Sequence, residues 1–302
     1  MSKTLSHVAT LVCNPQAPIL TAALVERARA ALANAAPAKW LDAEIAADIA
    51  FAPAVGFEPI EIETELRAAL DGAAVDIAVQ ALAGRRKKLF VADMDSTIIG
   101  QECIDELADL VGLKTHVAAI TERAMRGEIA FEPALRERVA LLAGLDASVV
   151  GDVIATRITL TPGAKTLVRT MRANGAYAAL VSGGFTAFTQ TIADMVGFNE
   201  NRANRLIAEG GKFVGRVEEP ILGAEAKLSS LIELRDARKL GKAQTLAAGD
   251  GANDLPMLRE AGLGVAYRAK PAVAAAADAR IDHSDLTALL YVQGYAREDF
   301  VA

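Results

Sequence analysis

Leu89-Phe90-Val91-Ala92-Asp93-Met94-Asp95-Ser96-Thr97 passes from apolar residues into two carboxylates and two hydroxyls. The pattern recurs downstream. Ala176 to Val181 is a short apolar run ending in Ser182-Gly183-Gly184. Thr245 to Ala248 is another, ending in Gly249-Asp250-Gly251, and Leu263 to Ala266 is a fourth. Helical segments lie between them, near 163–174, 185–196, 225–240 and 254–261. Short buried strands alternating with helices predict an α/β fold with a doubly wound parallel sheet. Such sheets bind ligands beyond the carboxyl ends of their strands. Asp93, Ser182 and Asp250 are therefore expected to share one crevice.

Around this core the chain divides near residue 84. Residues 102 to about 160 are mostly helical by periodicity, with repeated breaks, and form an insert after the first strand. Residues 7 to about 82 read as a small unit of order β-α-β-α-β. Its strands are Val8–Cys13, Glu44–Phe51 and Ala74–Val79, and its helices are Pro18–Asn34 and Pro59–Leu70. The predicted domains are thus 1–84 and 85–302. The basic run Arg85-Arg86-Lys87-Lys88 at the boundary reads as a solvated link, or as a surface for an acidic partner.

Composition narrows the classes. Of 302 residues, 52% are hydrophobic and 23% charged, which excludes a disordered or fibrous chain. The net charge of −6 argues against a nucleic-acid partner. The first apolar run is short and stops at Asn14-Pro15, unlike a secretory leader. No apolar stretch approaches the ~18 residues of a spanning helix, so no membrane association is expected. Cys13 and Cys103 lie far apart, and His7, His116 and His283 have no metal-ligand spacing. Reduced thiols in a cytoplasmic protein are the expected state.

Each polar signature has two readings. Asp93 and Asp95, two apart in extended chain, face one side. Two close carboxylates repel unless a cation or proton lies between them, and Mg²⁺ suits oxygen ligands. The same residues also serve as a polar loop with a helix cap. Ser182-Gly183-Gly184 offers a hydroxyl and bare amides to a phosphate oxygen, or simply makes a tight N-capped turn. Gly249-Asp250-Gly251-Ala252-Asn253-Asp254 is the most specific segment, because a structural turn seldom needs so many acidic groups after a buried strand. Lys227 either neutralises phosphate charge or lies at the surface. Taken alone, Arg138 reads as a helix-surface ion pair and Phe131 as core packing.

Taken in order, these signals resemble the haloacid dehalogenase superfamily of phosphohydrolases across residues 89 to about 265. With Glu102, and with Phe131 and Arg138 in the insert, the pattern is similar to the phosphoserine phosphatase family. The resemblance implies a Rossmann-like core with a helical cap at about 102–160. It implies hydrolysis of O-phospho-L-serine through an aspartyl phosphate, with Mg²⁺ as cofactor. Asp93 is then the nucleophile and Asp95 the acid and base. The metal would be held by the Asp93 side chain, the Asp95 carbonyl and the Asp250 carboxylate, with Asp254 orienting that shell. Ser182, Gly183, Lys227 and Asn253 would hold the phosphoryl group. Glu102 would meet the substrate ammonium, Arg138 its carboxylate, and Phe131 would exclude water. Some bacterial members carry an ACT-like N-terminal unit, whose β-α-β-β-α-β order has one strand more than is read here. A homodimer is left open. The alternatives are a related phosphatase or phosphotransferase for another small phosphoester, and a regulatory protein that keeps the fold without the chemistry.

Overall fold

The computed structural model describes residues 4–125 and 128–302. Among these, the chain builds a four-stranded sheet, a six-stranded sheet and a two-stranded hairpin. No helix is long and apolar enough to cross a membrane among the described residues.

The first unit runs β1 (His7–Cys13), α1 (Ala22–Ala31), β2 (Lys39–Asp42), β3 (Ala46–Phe51), α2 (Pro59–Ala69) and β4 (Val75–Ala81). Its sheet is antiparallel, in the order β2-β3-β1-β4. The observed order is therefore β-α-β-β-α-β, and β2 is absent from the sequence reading. Only Leu41 of its four residues is buried, too short a pattern to show a period. Helix α1 starts later than predicted because the Thr21 side chain caps it, accepting from the Leu24 amide at 3.2 Å. Alternation splits the sheet between two cores. Ala9, Leu11, Ile49 and Ile77 lie under the two helices. Val12, Ala46 and Ala78 point the other way and join the main core of the molecule.

The second unit begins with β5 (Leu89–Ala92), followed by an insert of four helices. These are α3 (Cys103–Leu110), α4 (Lys114–Met125), α5 (Phe131–Ala140) and α6 (Val149–Thr156). Then come α7 (Ala164–Ala173), β6 (Tyr177–Phe185), α8 (Thr186–Val196) and β7 (Glu200–Asn204). A hairpin, β8 (Leu206–Glu209) and β9 (Lys212–Val217), leads to α9 (Ala224–Ala237) and β10 (Thr245–Gly249). The chain ends with α10 (Leu255–Glu260), β11 (Gly264–Tyr267), α11 (Pro271–Ala274), β12 (Ala279–Ile281) and α12 (Ala288–Val292).

The large sheet has the order β12-β11-β10-β5-β6-β7, and every pairing is parallel. Strand β5 shows the double winding directly. Phe90 and Ala92 face one hydrophobic core, and Leu89 and Val91 the other. All four are fully buried, which is why the run reads as uninterruptedly apolar. The predicted doubly wound parallel sheet is the observed fold.

The insert is joined by a two-stranded neck. Ile99 pairs with Leu160, the Gly100 amide donates to Thr159 O at 3.0 Å, and the Thr161 amide donates to Ile98 O at 2.9 Å. The hairpin, which no sequence signal announced, clasps the insert from the side. The Gly144 amide donates to Phe213 O (2.8 Å), and the Phe213 amide donates to Leu145 O (2.9 Å).

The boundary run is only half the solvated link that was expected: Arg86 and Lys88 are exposed. Arg85 and Lys87 are buried. The Arg85 guanidinium forks onto Asp48 (2.6 and 3.0 Å) and donates to Thr10 Oγ1 and to the carbonyls of Tyr291 and Val292. The partner is thus internal, and the arginine fastens the small sheet to the segment around α12. Asp76 makes a second fastening, accepting from the amides of Asp282, His283 and Ser284. Removing one member of a buried ion pair strands the other and costs about 3–5 kcal/mol. Asp48→Ala should therefore lower the unfolding free energy by about 3 kcal/mol in urea melts. A variant with an unchanged midpoint and slope would mean that Arg85 does not need this carboxylate.

Candidate active site at the carboxyl ends of three strands

Strands β10, β5 and β6 are neighbours, so their carboxyl ends bring remote residues together. The Asp93 amide donates to Ala248 O at 3.0 Å, which carries the β5–β10 pairing up to the site. Asp93 Oδ1 accepts from the Met94 amide at 2.7 Å. Beyond Asp93 the strand stops. Ser96 takes a positive φ of 55°, and the Ile99 amide turns back to Met94 O at 3.0 Å. This loop places the Asp95 carboxylate at the start of α3, where Oδ1 accepts from the Cys103 amide at 3.2 Å.

Lys227 lies in the first turn of α9 and is fully buried, not at the surface. Its Nζ is 2.7 Å from Asp93 Oδ1 and 2.7 Å from Asp254 Oδ1. The other oxygen of Asp254 accepts from the Gly251 amide at 3.0 Å. Gly249 makes room for this carboxylate: a methyl group there would lie 2.4 Å from Asp254 Cγ. Thr97 Oγ1 donates to Asp250 Oδ1 at 3.0 Å. Asp93, Asp250 and Asp254 each offer an oxygen within 4.8 Å of the others.

On the β6 side, Ser182 is buried and its Oγ accepts from the Gly184 amide at 2.9 Å. A methyl group on Gly184 would lie 2.8 Å from Asp95 Oδ2, and one on Gly183 3.8 Å from Asn253 Nδ2. Ser182, Gly183, Asp95 and Asn253 therefore surround one space. Phe131, first residue of α5, covers it from the insert. Its ring would be 3.1 Å from a methyl on Gly183 and 3.3 Å from one on Gly223. The ring also packs against the main core, as the core-packing reading expects. Arg138 is buried rather than on the helix surface, donating to Ala134 O and Thr121 Oγ1, each at 3.2 Å. Glu102 is exposed at the head of α3 and accepts from Ser96 Oγ at 2.7 Å.

The electrostatics are unbalanced. Burial pushes the Asp93 carboxyl well above its ordinary range, and the nearby Asp254 adds to this while Lys227 opposes it. Burial, then Glu102, pushes Asp95 up to about 7. Burial, then Asp254, pushes Asp250 up to about 7. Burial alone would lower Lys227, but Asp254 and Asp93 more than offset it, and the ammonium is held charged. One buried cation thus faces several carboxylates. An all-oxygen donor set with surplus negative charge fits a hard divalent cation that keeps open positions for phosphate oxygens. Neighbouring carboxyls raised toward neutrality also suit proton transfer.

Asn204 is a site residue that sequence reasoning missed. Buried at the end of β7, it donates to Gly183 O (2.8 Å) and Leu222 O (3.1 Å) and accepts from the Leu222 amide (2.7 Å). It ties Gly183, which lies in the bulged end of β6 rather than in the expected turn, to the segment that leads into α9. As one of two asparagines in the polar run Glu200–Asn204, it carries no signal of this.

Comparison with known proteins bears on the same region. The model of the haloacid dehalogenase-like hydrolases matches residues 90–259. A phosphoserine phosphatase of Streptomyces coelicolor is 45% identical over 256 residues, covering 82% of this chain and 62% of that protein. The chain thus spans less than two thirds of that relative. A phosphoserine phosphatase of Polaromonas sp. is 46% identical, over 72% of this chain and 95% of its own. The crystal structure of a HAD family hydrolase from Salmonella enterica serovar Typhi superposes with a TM-score of 0.83 at 27% identity, covering 95% of this chain and 98% of that one. With the motifs in order on the strand ends that position them, the chain belongs to the haloacid dehalogenase-like hydrolase family.

Proposed function

We propose that this protein hydrolyses O-phospho-L-serine to L-serine and phosphate through an aspartyl phosphate, as the last step of L-serine biosynthesis. The observation that carries this reading is the fully buried Lys227 ammonium, 2.7 Å from Asp93 and from Asp254, with Asp250 in the same cluster. The names of the relatives supply the substrate.

An Asp93 oxygen attacks phosphorus, and the bond to the serine oxygen breaks. The Asp95 carboxyl gives its proton to that oxygen, and its raised pKa of about 7 keeps a neutral fraction at physiological pH. Serine leaves. Asp95, now ionised, takes a proton from water as that water attacks the phosphorus of the acyl phosphate. Phosphate departs and Asp93 is restored. Lys227 offsets the repulsion between carboxylate and phosphate, and Ser182, the Gly183 amide and Asn253 hold the phosphoryl oxygens. The proposed cofactor is Mg²⁺, held by Asp93, the Asp95 carbonyl and Asp250, and it would supply further positive charge to those oxygens. Asp254, with both oxygens engaged by Lys227 and Gly251, orients the cluster. Arg138 takes the substrate carboxylate, Glu102 its ammonium, and Phe131 shields the space from water.

The first unit is proposed to be ACT-like, its element order being that of ACT domains. A cytoplasmic location accompanies the reading, supported by two free, buried cysteines.

The primary test is phosphate release from L-phosphoserine, with Mg²⁺ and after chelation. Activity is expected only with the metal, and an inert protein under both conditions would overturn the reading. Asp93→Asn should abolish turnover while circular dichroism stays native; substantial residual activity would remove Asp93 as nucleophile. Arg138→Ala should lower kcat/KM for phosphoserine about 100-fold, and far less for an aryl phosphate. Equal losses on both would take Arg138 out of substrate selection. Gly184→Ala should displace Asp95 and lower kcat about 100-fold, since catalytic groups tolerate little misplacement. A wild-type rate would show that Asp95 does not depend on this close approach.

A further inference from the structure

Ser96 holds a backbone conformation that a serine does not favour, with φ 55° and ψ 1°. Glycine enters this region freely and asparagine more readily than serine. Strain of this kind persists where the surroundings over-determine it. Here the hydroxyl supplies a reason. Ser96 Oγ donates to Glu102 Oε1 at 2.7 Å. The Ser96 amide, at 3.4 Å, points to Gln101 O. One residue thus closes the loop from Asp95 to the head of α3, while the Cys103 amide binds Asp95 across the same loop.

The charges around Glu102 make its position a problem. Among the charged neighbours of Arg138, Glu102 contributes most to its electrostatic surroundings, with Asp105 and Asp95 behind it. An exposed glutamate is attracted to such a guanidinium. That pairing would use up both groups that a zwitterionic substrate needs. In the structure Glu102 makes no ion pair with Arg138 among the described residues, and it is the Ser96 hydroxyl that occupies Oε1. The glutamate is held back, with its remaining lone pairs open to solvent.

We propose that Ser96 is a positioning residue for substrate selection: its hydroxyl holds Glu102 apart from Arg138, so that the carboxylate meets the α-ammonium of a phosphorylated amino acid. The inference rests on the phosphoserine phosphatase reading and assigns one determinant of its specificity. Recognition of the amino group then depends on a residue that does not touch it.

The test compares O-phospho-L-serine with 3-phosphooxypropanoate, the same molecule without its ammonium. In wild-type protein the first is preferred. Ser96→Ala and Ser96→Gly should each reduce that preference about ten-fold, chiefly through KM for phosphoserine. The glycine variant relieves the positive φ and keeps the fold testable if the alanine variant is unstable. In a Glu102→Gln background, Ser96→Ala should add no further change in preference. Retention of the preference in both single variants overturns the inference, as does an undiminished Ser96→Ala effect in the Glu102→Gln background. Wild-type protein inert toward phosphoserine overturns the functional reading and this inference with it. Active wild-type protein with unaltered variants overturns the inference alone.

Discussion

A lysine ammonium fully out of water, shared by two carboxylates, is the constraint on which the architecture turns. Burying a charge costs several kcal/mol, and the cost is met only if partners arrive with good geometry. Lys227 reaches both Asp93 and Asp254 at 2.7 Å. That requires the first turn of α9, the end of β5 and the turn after β10 to converge within one side chain's length. The convergence in turn dictates glycine at position 249, where any Cβ would overlap Asp254. Glycine at 249 and the carboxylate at 254 thus share one reason.

The sheet order supplies the convergence. With β5 between β10 and β6, the three polar strand ends lie side by side. The fourth wall comes from elsewhere in the chain. The insert leaves through the Ile99–Leu160 neck and returns beside its own starting point, so α3 and α5 are carried over the crevice. The β8–β9 hairpin grips the far end of the insert through Phe213. Phe131, lying over Gly183 and Gly223, is one contact between this roof and the floor. The proposed recognition of a whole small substrate needs this roof, since the roles proposed for the floor concern the phosphoryl group alone.

Much of this was legible because it rests on short, regular patterns. The buried run Leu89–Ala92 and the acidic turn at 249–254 carry both strand and site in a few residues. The rest depends on contacts that local sequence does not encode. Strand β2 exists because β3 pairs with it, with Leu41 alone buried. The hairpin residues alternate weakly, and Leu206, Phe213 and Val217 find their burial against distant segments. Asn204 and Arg85 look ordinary in sequence because their partners lie across the molecule. The solvated reading of Arg85 was reasonable for a basic run and wrong for a residue that meets Asp48, Thr10 and two carbonyls.

Arg85 and Lys227 are both buried cations, and the contrast between them separates scaffold from site. The arginine meets one carboxylate, and its remaining donors are spent on Thr10 and on main-chain carbonyls. Its charge is matched and its geometry complete, as befits a fastening between two units. The lysine stands among Asp93, Asp95, Asp250 and Asp254, a surplus of negative charge that leaves carboxyls raised toward neutrality. Surplus charge in a buried cluster is costly, and folding alone gives no reason to retain it. A hard divalent cation held by the same oxygens would offset that surplus. The imbalance around Lys227, rather than burial or acidity alone, is therefore what sets this cluster apart from the Arg85 fastening and supports its proposed role as the site of chemistry.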